Sequence, residues 1–149
     1  EKAKEIFKLS GSSIVTVKKE IDGFILNRLQ GALLNEAMRL YSEGYASSED
    51  IDATIKDGLG LRWAFMGPFE TIDLNAPGGI NDYMARYGAI FKEMAKTQTK
   101  IPDWSEDAGN KLDLERRKVL SKDDLEKRAK KRNFLLKQLR RLKIESDET

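Results

Sequence analysis

The segment from Asp22 to Glu43 constrains the fold most, because its apolar residues occupy more than one stripe of a predicted helix. Asp22 precedes the run as the predicted N-cap, and Gly44 follows it at the position that glycine favours after a helix. A helix that is apolar on several sides has to be buried between neighbouring helices or in a subunit interface. Its apolar residues are Phe24, Ile25, Leu26, Leu29, Leu33, Leu34, Met38 and Leu40.

Helix-start and helix-stop residues divide the rest of the chain into further helices. Ser47 and Ser121 each open a capping-box pattern, Pro68 suits the first position of a helix, and Ser105 is a predicted cap. Gly58 is interpreted as the end of the helix that begins at Ser47. The predicted helices span 47–57, 68–74, 80–96, 105–119 and 121–143. The predicted fold class is therefore all-α.

The N-terminal residues follow a different pattern. Residues 2–10 have the spacing of a short amphipathic helix, and residues 14–17 form a β-branched run that is typical of a strand. No other run in the chain has a convincing strand pattern, so this strand would lack a partner within the chain. Because native proteins normally cover a strand edge, we expect residues 1–20 to belong to a larger sheet.

The composition excludes several classes of chemistry. The chain has no histidine and no cysteine among its 149 residues, so it cannot supply an imidazole base, a disulfide or a thiolate metal site. Its length is that of one domain, or of one domain and a fragment. No apolar run approaches the roughly 20 residues of a membrane helix, and the N-terminal sequence lacks the apolar stretch of a signal peptide. We expect a cytoplasmic protein without a metal site.

Charge is distributed unevenly along the chain. Residues 111–143 contain 14 Lys and Arg against 5 Asp and Glu, a net charge of +9, and the remaining residues sum to −7. Such a basic stretch would suit nucleic-acid phosphates. Apolar residues recur within it at helical spacing, however, which favours an amphipathic helix with a solvated charged face. We expect no nucleic-acid and no membrane partner, and keep a basic binding module as an alternative.

Two polar residues stand out within apolar sequence. Asn27 lies near the start of the first long helix, and Arg62 is the only cation between Lys56 and Arg86. An amide can bind a substrate oxygen without changing charge, and a guanidinium suits a carboxylate gripped by two hydrogen bonds. The alternatives are an Asn27 bonded to nearby backbone and an Arg62 in a surface salt bridge with Asp57 or Glu70.

The run around Arg62 is interpreted as an apolar, glycine-rich loop. Trp63 and Phe65 are candidate substrate-binding residues, as walls of a pocket or, alternatively, as parts of the core. Gly58 and Gly60 either allow the backbone to approach a ligand or end a helix. Glu70 and Asp73, three residues apart, have the spacing of an acid–base or metal pair but lack a third ligand.

Two segments in this order, DGFILNRLQGALLNEAMRL (22–40) and GLGLRWAFMGPFETIDLNAPGG (58–79), resemble the C-terminal domain of the 3-hydroxyacyl-CoA dehydrogenase family. The second is most similar to the lambda-crystallin and L-gulonate 3-dehydrogenase branch. The resemblance implies a helical substrate and dimerisation domain over 21–149, preceded over 1–20 by the last helix and strand of a truncated NAD-binding Rossmann domain. It also implies that Asn27 is catalytic, that Arg62, Trp63 and Phe65 bind substrate, and that the 24–40 helix forms a homodimer.

The resemblance further implies how the work is divided between two domains. NAD would be bound mainly by the N-terminal domain, which also supplies a histidine base, so no cofactor-binding residue is assigned here and the chain alone is predicted to be inactive. The predicted activity is NAD-dependent oxidation of a small L-3-hydroxy acid, with L-gulonate as the first choice. The alternatives are a short-chain L-3-hydroxyacyl-CoA dehydrogenase of fatty acid β-oxidation and a non-catalytic helical or nucleic-acid-binding module.

Overall fold

The computed structural model describes residues 13–147, and every regular element in that range is helical. The all-α prediction is confirmed. The chain divides into two compact units, with the boundary between Asn35 and Glu36. The helices are α1 (Phe24–Ser42), α2 (Ser48–Ala53), α3 (Gly60–Trp63), α4 (Pro68–Leu74), α5 (Gly79–Thr97), α6 (Glu106–Val119) and α7 (Leu125–Asp147), with a π-helical segment (Thr54–Leu59) between α2 and α3.

The predicted strand at residues 14–17 is not formed. These residues have no regular secondary structure, and no strand is present within residues 13–147. A strand is stabilised by hydrogen bonds to a neighbouring strand, and no second strand lies in the described range. The helix predicted for residues 2–10 lies outside the described residues.

Side-chain caps define several helix ends as the sequence predicts. The Ser47 hydroxyl accepts the amide proton of Asp50 at 3.1 Å, and Ser105 caps α6 in the same way. Pro68 occupies the first turn of α4. Gly44 has a φ of 77° after α1, the left-handed conformation expected of a C-terminal glycine. The first helix nevertheless begins at Phe24, so Asp22 lies in the preceding turn and does not cap it directly.

Few side chains of the described residues are buried, although the chain contains ordinary amounts of apolar residues. Met38 and Ala76 are buried, each with 8% of its surface exposed. In contrast, Leu26 and Leu29 of α1 are 75% and 60% exposed, and Phe91 of α5 is 50% exposed. Apolar surface of this extent on successive helical positions is typical of a surface that another molecule or domain covers.

Candidate functional site

The helix that begins at Ser48 does not end at Gly58, which corrects the sequence-based interpretation. It continues through the π-helical segment into α3, and the amide of Gly60 donates to the carbonyl of Ile55, five residues earlier. Arg62 and Trp63 therefore lie on a helix rather than in a loop. The sequence signal was ambiguous, because two glycines close together usually mark a helix end and only rarely a widened turn.

Arg62 presents a cation that no described side chain neutralises. Its side chain is exposed, and within residues 36–147 its guanidinium forms no ion pair and no hydrogen bond. The alternative salt bridge to Asp57 or Glu70 is not formed, since Asp57 pairs with Lys56 at 3.1 Å. The backbone at Arg62 is held in place, because its carbonyl accepts the amide proton of Phe65 at 3.0 Å. A fixed backbone with a free guanidinium suits the binding of an external anion.

Aromatic side chains follow Arg62 in the sequence and are not part of a core. Trp63 is 40% exposed and Phe65 is 50% exposed, and Phe69 at the start of α4 is 75% exposed. The alternative that these residues fill the interior is therefore wrong for the described structure. Arg62, Trp63 and Phe65 lie together at the end of α3 and in the turn that follows it.

The turn between α4 and α5 is held by two carboxylates. Asp73 accepts the amide proton of Ile80 at 2.7 Å, and Asp82 accepts that of Gly78 at 3.1 Å. Asp82 also binds Arg86 at 2.7 Å, and this hydrogen bond lowers the pKa of the Asp82 carboxyl below its usual value. Asp73 thus has a structural task, and the described residues contain no cluster of carboxylates able to hold a metal ion.

Asn27 lies one turn into α1 and belongs to the first compact unit, whereas Arg62 belongs to the second. Its side chain is exposed and forms no hydrogen bond within residues 13–35, so the backbone-bonded alternative is not observed there. Two left-handed residues mark the start of α1: Gly23, just before the helix, has a φ of 80°, and Phe24, its first residue, has a φ of 49°. A phenylalanine in this conformation costs about 1–2 kcal/mol, and such strain is often found beside functional residues.

A polar contact that the sequence did not reveal joins α6 to the start of α2. The backbone amide and the hydroxyl of Ser48 both donate to one carboxylate oxygen of Glu115 at 2.8 Å. Together these hydrogen bonds lower the pKa of Glu115, and Tyr41 also donates to it. The pKa of Tyr41 is raised, first by burial and then by this bond. The 67 residues between Ser48 and Glu115 explain why no local pattern predicted the contact.

Arg39 is partly buried and paired, and it differs from the exposed Arg62 in both respects. Its guanidinium binds both Glu36 and Glu43, and its pKa is raised chiefly by the hydrogen bond to Glu36. The predicted Glu36–Arg39 pair is therefore present. Because Arg39 is neutralised from two sides, it is not available to an external carboxylate.

The basic C-terminal helix α7 exposes its apolar residues as well as its charges. Phe134, Leu135 and Leu136 are 53–59% exposed. Side chains of α7, of the π-helical segment and of α3 line a cleft of about 640 Å³ that contains several cations; the lining residues are Lys56, Leu61, Arg128, Lys131, Arg132, Leu135, Leu136 and Leu139. None of the helices within residues 13–147 is both long and apolar enough to cross a bilayer.

The fold and these surfaces define a class of protein: an all-helical domain that offers an amide and a free guanidinium but no histidine or cysteine for acid–base chemistry. Comparison with known families agrees with this description. Residues 23–122 match the family described as 3-hydroxyacyl-CoA dehydrogenase, C-terminal domain. The chain therefore belongs to the 3-hydroxyacyl-CoA dehydrogenase family through its C-terminal domain, which confirms the resemblance predicted from residues 22–40 and 58–79.

Known relatives fall into two groups by name. Lambda-crystallin of Oryctolagus cuniculus is 44% identical over 135 residues, which cover 89% of this chain and 42% of that protein. The lambda-crystallin homolog of Bos taurus is 50% identical over 64% of this chain and 29% of its own length. L-carnitine dehydrogenase of Streptomyces coelicolor is 41% identical over 60% of this chain and 29% of its own length. The chain thus spans less than half the length of these relatives.

Proposed function

We propose that this domain binds the substrate of an NAD-dependent dehydrogenase that oxidises the 3-hydroxyl group of a small L-3-hydroxy acid. The observation that carries the proposal is the exposed guanidinium of Arg62, which has no ion-pair partner among the described residues and is followed in the sequence by the exposed Trp63 and Phe65. A carboxylate bound there by two parallel hydrogen bonds would be fixed in direction as well as in position. L-gulonate is the first substrate to test.

The names of the relatives support a small hydroxy carboxylate. Carnitine, in the name of the Streptomyces coelicolor relative, is itself a 3-hydroxy acid with a free carboxylate. A substrate bound as a CoA thioester has no carboxylate at that position, so Arg62 would have no anionic group of the acyl portion to bind. This difference favours a free hydroxy acid over the alternative, a short-chain L-3-hydroxyacyl-CoA.

Asn27 is proposed to orient the reacting oxygen. Its amide donates a hydrogen bond to the substrate oxygen both as a hydroxyl and as a carbonyl, and it does so without gaining or losing a proton. NAD, when bound, would supply the acceptor for the hydride that leaves the carbinol carbon. The described residues contain no strand–helix nucleotide-binding unit, so we assign NAD and the proton-accepting base to another domain.

We further propose that the protein forms a homodimer through the 24–40 helix. Leu26 and Leu29 project more than half of their surface into solvent, although such residues are normally buried. Leu29 lies three residues after Leu26 and four after Ile25, so these three side chains share one apolar stripe of the helix, and Ile25 is also exposed. A second copy would cover this stripe and supply burial that the helix otherwise lacks.

The proposal is tested by NADH formation with the complete natural protein. L-gulonate, L-carnitine and a 3-hydroxybutyryl-CoA are offered as substrates, and the 149-residue chain alone is expected to be inactive with each. Arg62→Met should raise KM for the hydroxy acid about ten- to a hundredfold, the loss of one charge-assisted hydrogen-bonded contact, and leave KM for NAD unchanged.

Arg86→Met is the matched control, because Arg86 is exposed and its ion pair with Asp82 is of the surface type that contributes little. It should leave both KM values within twofold. Turnover confined to the CoA thioester, with no effect of Arg62→Met, would instead support the acyl-CoA alternative. Turnover of L-gulonate with NAD by the 149 residues alone would refute the division of work between two domains.

A further inference from the structure

The π-helical segment ends at Leu59 and leads without a break into α3, the short helix that carries Arg62. Within Thr54–Leu59 the helix widens, and the segment closes where the amide of Gly60 donates to the carbonyl of Ile55. Arg62 is only two residues beyond this bond. Isolated π turns of this kind are rare and occur frequently at functional sites.

Gly60 is the residue that this geometry requires. A Cβ atom at position 60 would lie 2.8 Å from the carbonyl oxygen of Ile55, the oxygen that the Gly60 amide binds. The obstacle is backbone rather than the end of a flexible side chain, so the turn itself would have to change. Gly58, in the same segment, has no atom within 4 Å of its corresponding position. A methyl group at position 60 would therefore clash with the turn, whereas one at position 58 would not.

A change in the turn would redirect the guanidinium. If the hydrogen bond to Ile55 were replaced by ordinary α-helical hydrogen bonding, the helix after it would shift by one residue. A shift of one residue corresponds to about 100° of rotation and 1.5 Å of rise. Arg62 would then leave a different side of the helix. A displacement of about 1 Å at a binding group can cost as much as a hundredfold in rate.

We propose that Gly60 is a positioning residue, which maintains the π turn and thereby aims Arg62 at the carboxylate of the substrate. This inference rests on the proposed function, since it assigns a consequence to the direction of Arg62. Gly60 touches no substrate and acts only through Arg62.

The test compares Gly60→Ala with Gly58→Ala in the complete natural protein. Gly60→Ala should raise KM for the hydroxy acid about tenfold or more while KM for NAD stays within twofold. Gly58→Ala, which removes a glycine from the same turn without a clash, should leave both within twofold. Equal KM values for the two variants would overturn the inference. Failure of Gly60→Ala to fold would also overturn it, by assigning Gly60 to stability alone.

A double-mutant cycle with Arg62→Met separates positioning from general damage. If Gly60 acts through Arg62, then adding Gly60→Ala to Arg62→Met should change KM less than twofold further, because the misdirected group is already absent. If the effects of the two substitutions on KM multiply instead, the inference is contradicted while the proposed function remains intact. If Arg62→Met alone has no effect on KM, the proposed function and the inference both fail.

Discussion

Gly79 at the start of α5 should be far less tolerant of a methyl group than Gly88 in the same helix. Its φ is 73°, in the left-handed region, and a Cβ would lie 2.8 Å from the Asp73 oxygen that accepts the Ile80 amide. The left-handed conformation costs alanine about 1–2 kcal/mol. Losing the Asp73 cap adds about 0.5–2 kcal/mol, and the lower entropy of the unfolded alanine chain offsets about 0.4–1 kcal/mol.

We therefore expect Gly79→Ala to lower the free energy of unfolding by about 1–3 kcal/mol, which corresponds to roughly 2–12 °C in Tm for a chain of this size. Gly88 has no atom within 4 Å of its Cβ position, so Gly88→Ala should be neutral or stabilise by up to about 1 kcal/mol. Thermal unfolding followed by circular dichroism at 222 nm measures both. A Gly79→Ala variant that melts with the wild type, or as high as Gly88→Ala, would refute the argument.

Two further predictions concern the contacts of α2 and of α1. Ser48→Ala should lower Tm at pH 7 more than Ser42→Ala, whose hydroxyl is exposed. Folding lowers the pKa of Glu115 below its ordinary value of 4.5, chiefly through the hydrogen bonds from Ser48. The stabilisation by these hydrogen bonds is therefore present above pH 4.5 and is lost as the pH falls through the lowered pKa. A difference between Ser48→Ala and wild type that persists in strong acid would contradict this. In sedimentation experiments, Leu29→Glu should convert the proposed dimer to monomers. The control Leu114→Glu, at a residue of α6 that is 69% exposed, should not. A wild type that stays monomeric at high concentration would rule out the interface.

The parts of the fold that local chemistry specifies were predictable from the sequence. Ser47 and Ser105 mark helix starts because their hydroxyl groups accept amide protons that no helical carbonyl accepts. Pro68 marks a helix start because it has no amide proton that would need such a partner. Gly44 ends α1 because the left-handed conformation costs glycine little. The resemblance to the dehydrogenase family added Asn27 as a candidate, which pattern alone did not favour.

The remaining features depend on contacts that a local pattern does not contain. Two glycines as close together as Gly58 and Gly60 usually mark the end of a helix. The chain instead continues as a π turn, because backbone hydrogen bonds can also form between residues five apart. The strand at 14–17 failed for a related reason, since β-branched residues favour extended structure but only a partner strand completes it. The Ser48–Glu115 contact joins positions 67 residues apart.

The most direct test of the central claim is whether Arg62 recognises the negative charge of the substrate. The complete natural protein and its Arg62→Met variant are compared with a 3-hydroxy acid and with its neutral primary amide, and kcat/KM is measured for each. We predict that the wild type prefers the acid by about ten- to a hundredfold, and that Arg62→Met abolishes this preference while leaving the rate with the amide nearly unchanged. An equal loss of kcat/KM for the acid and the amide would contradict the account.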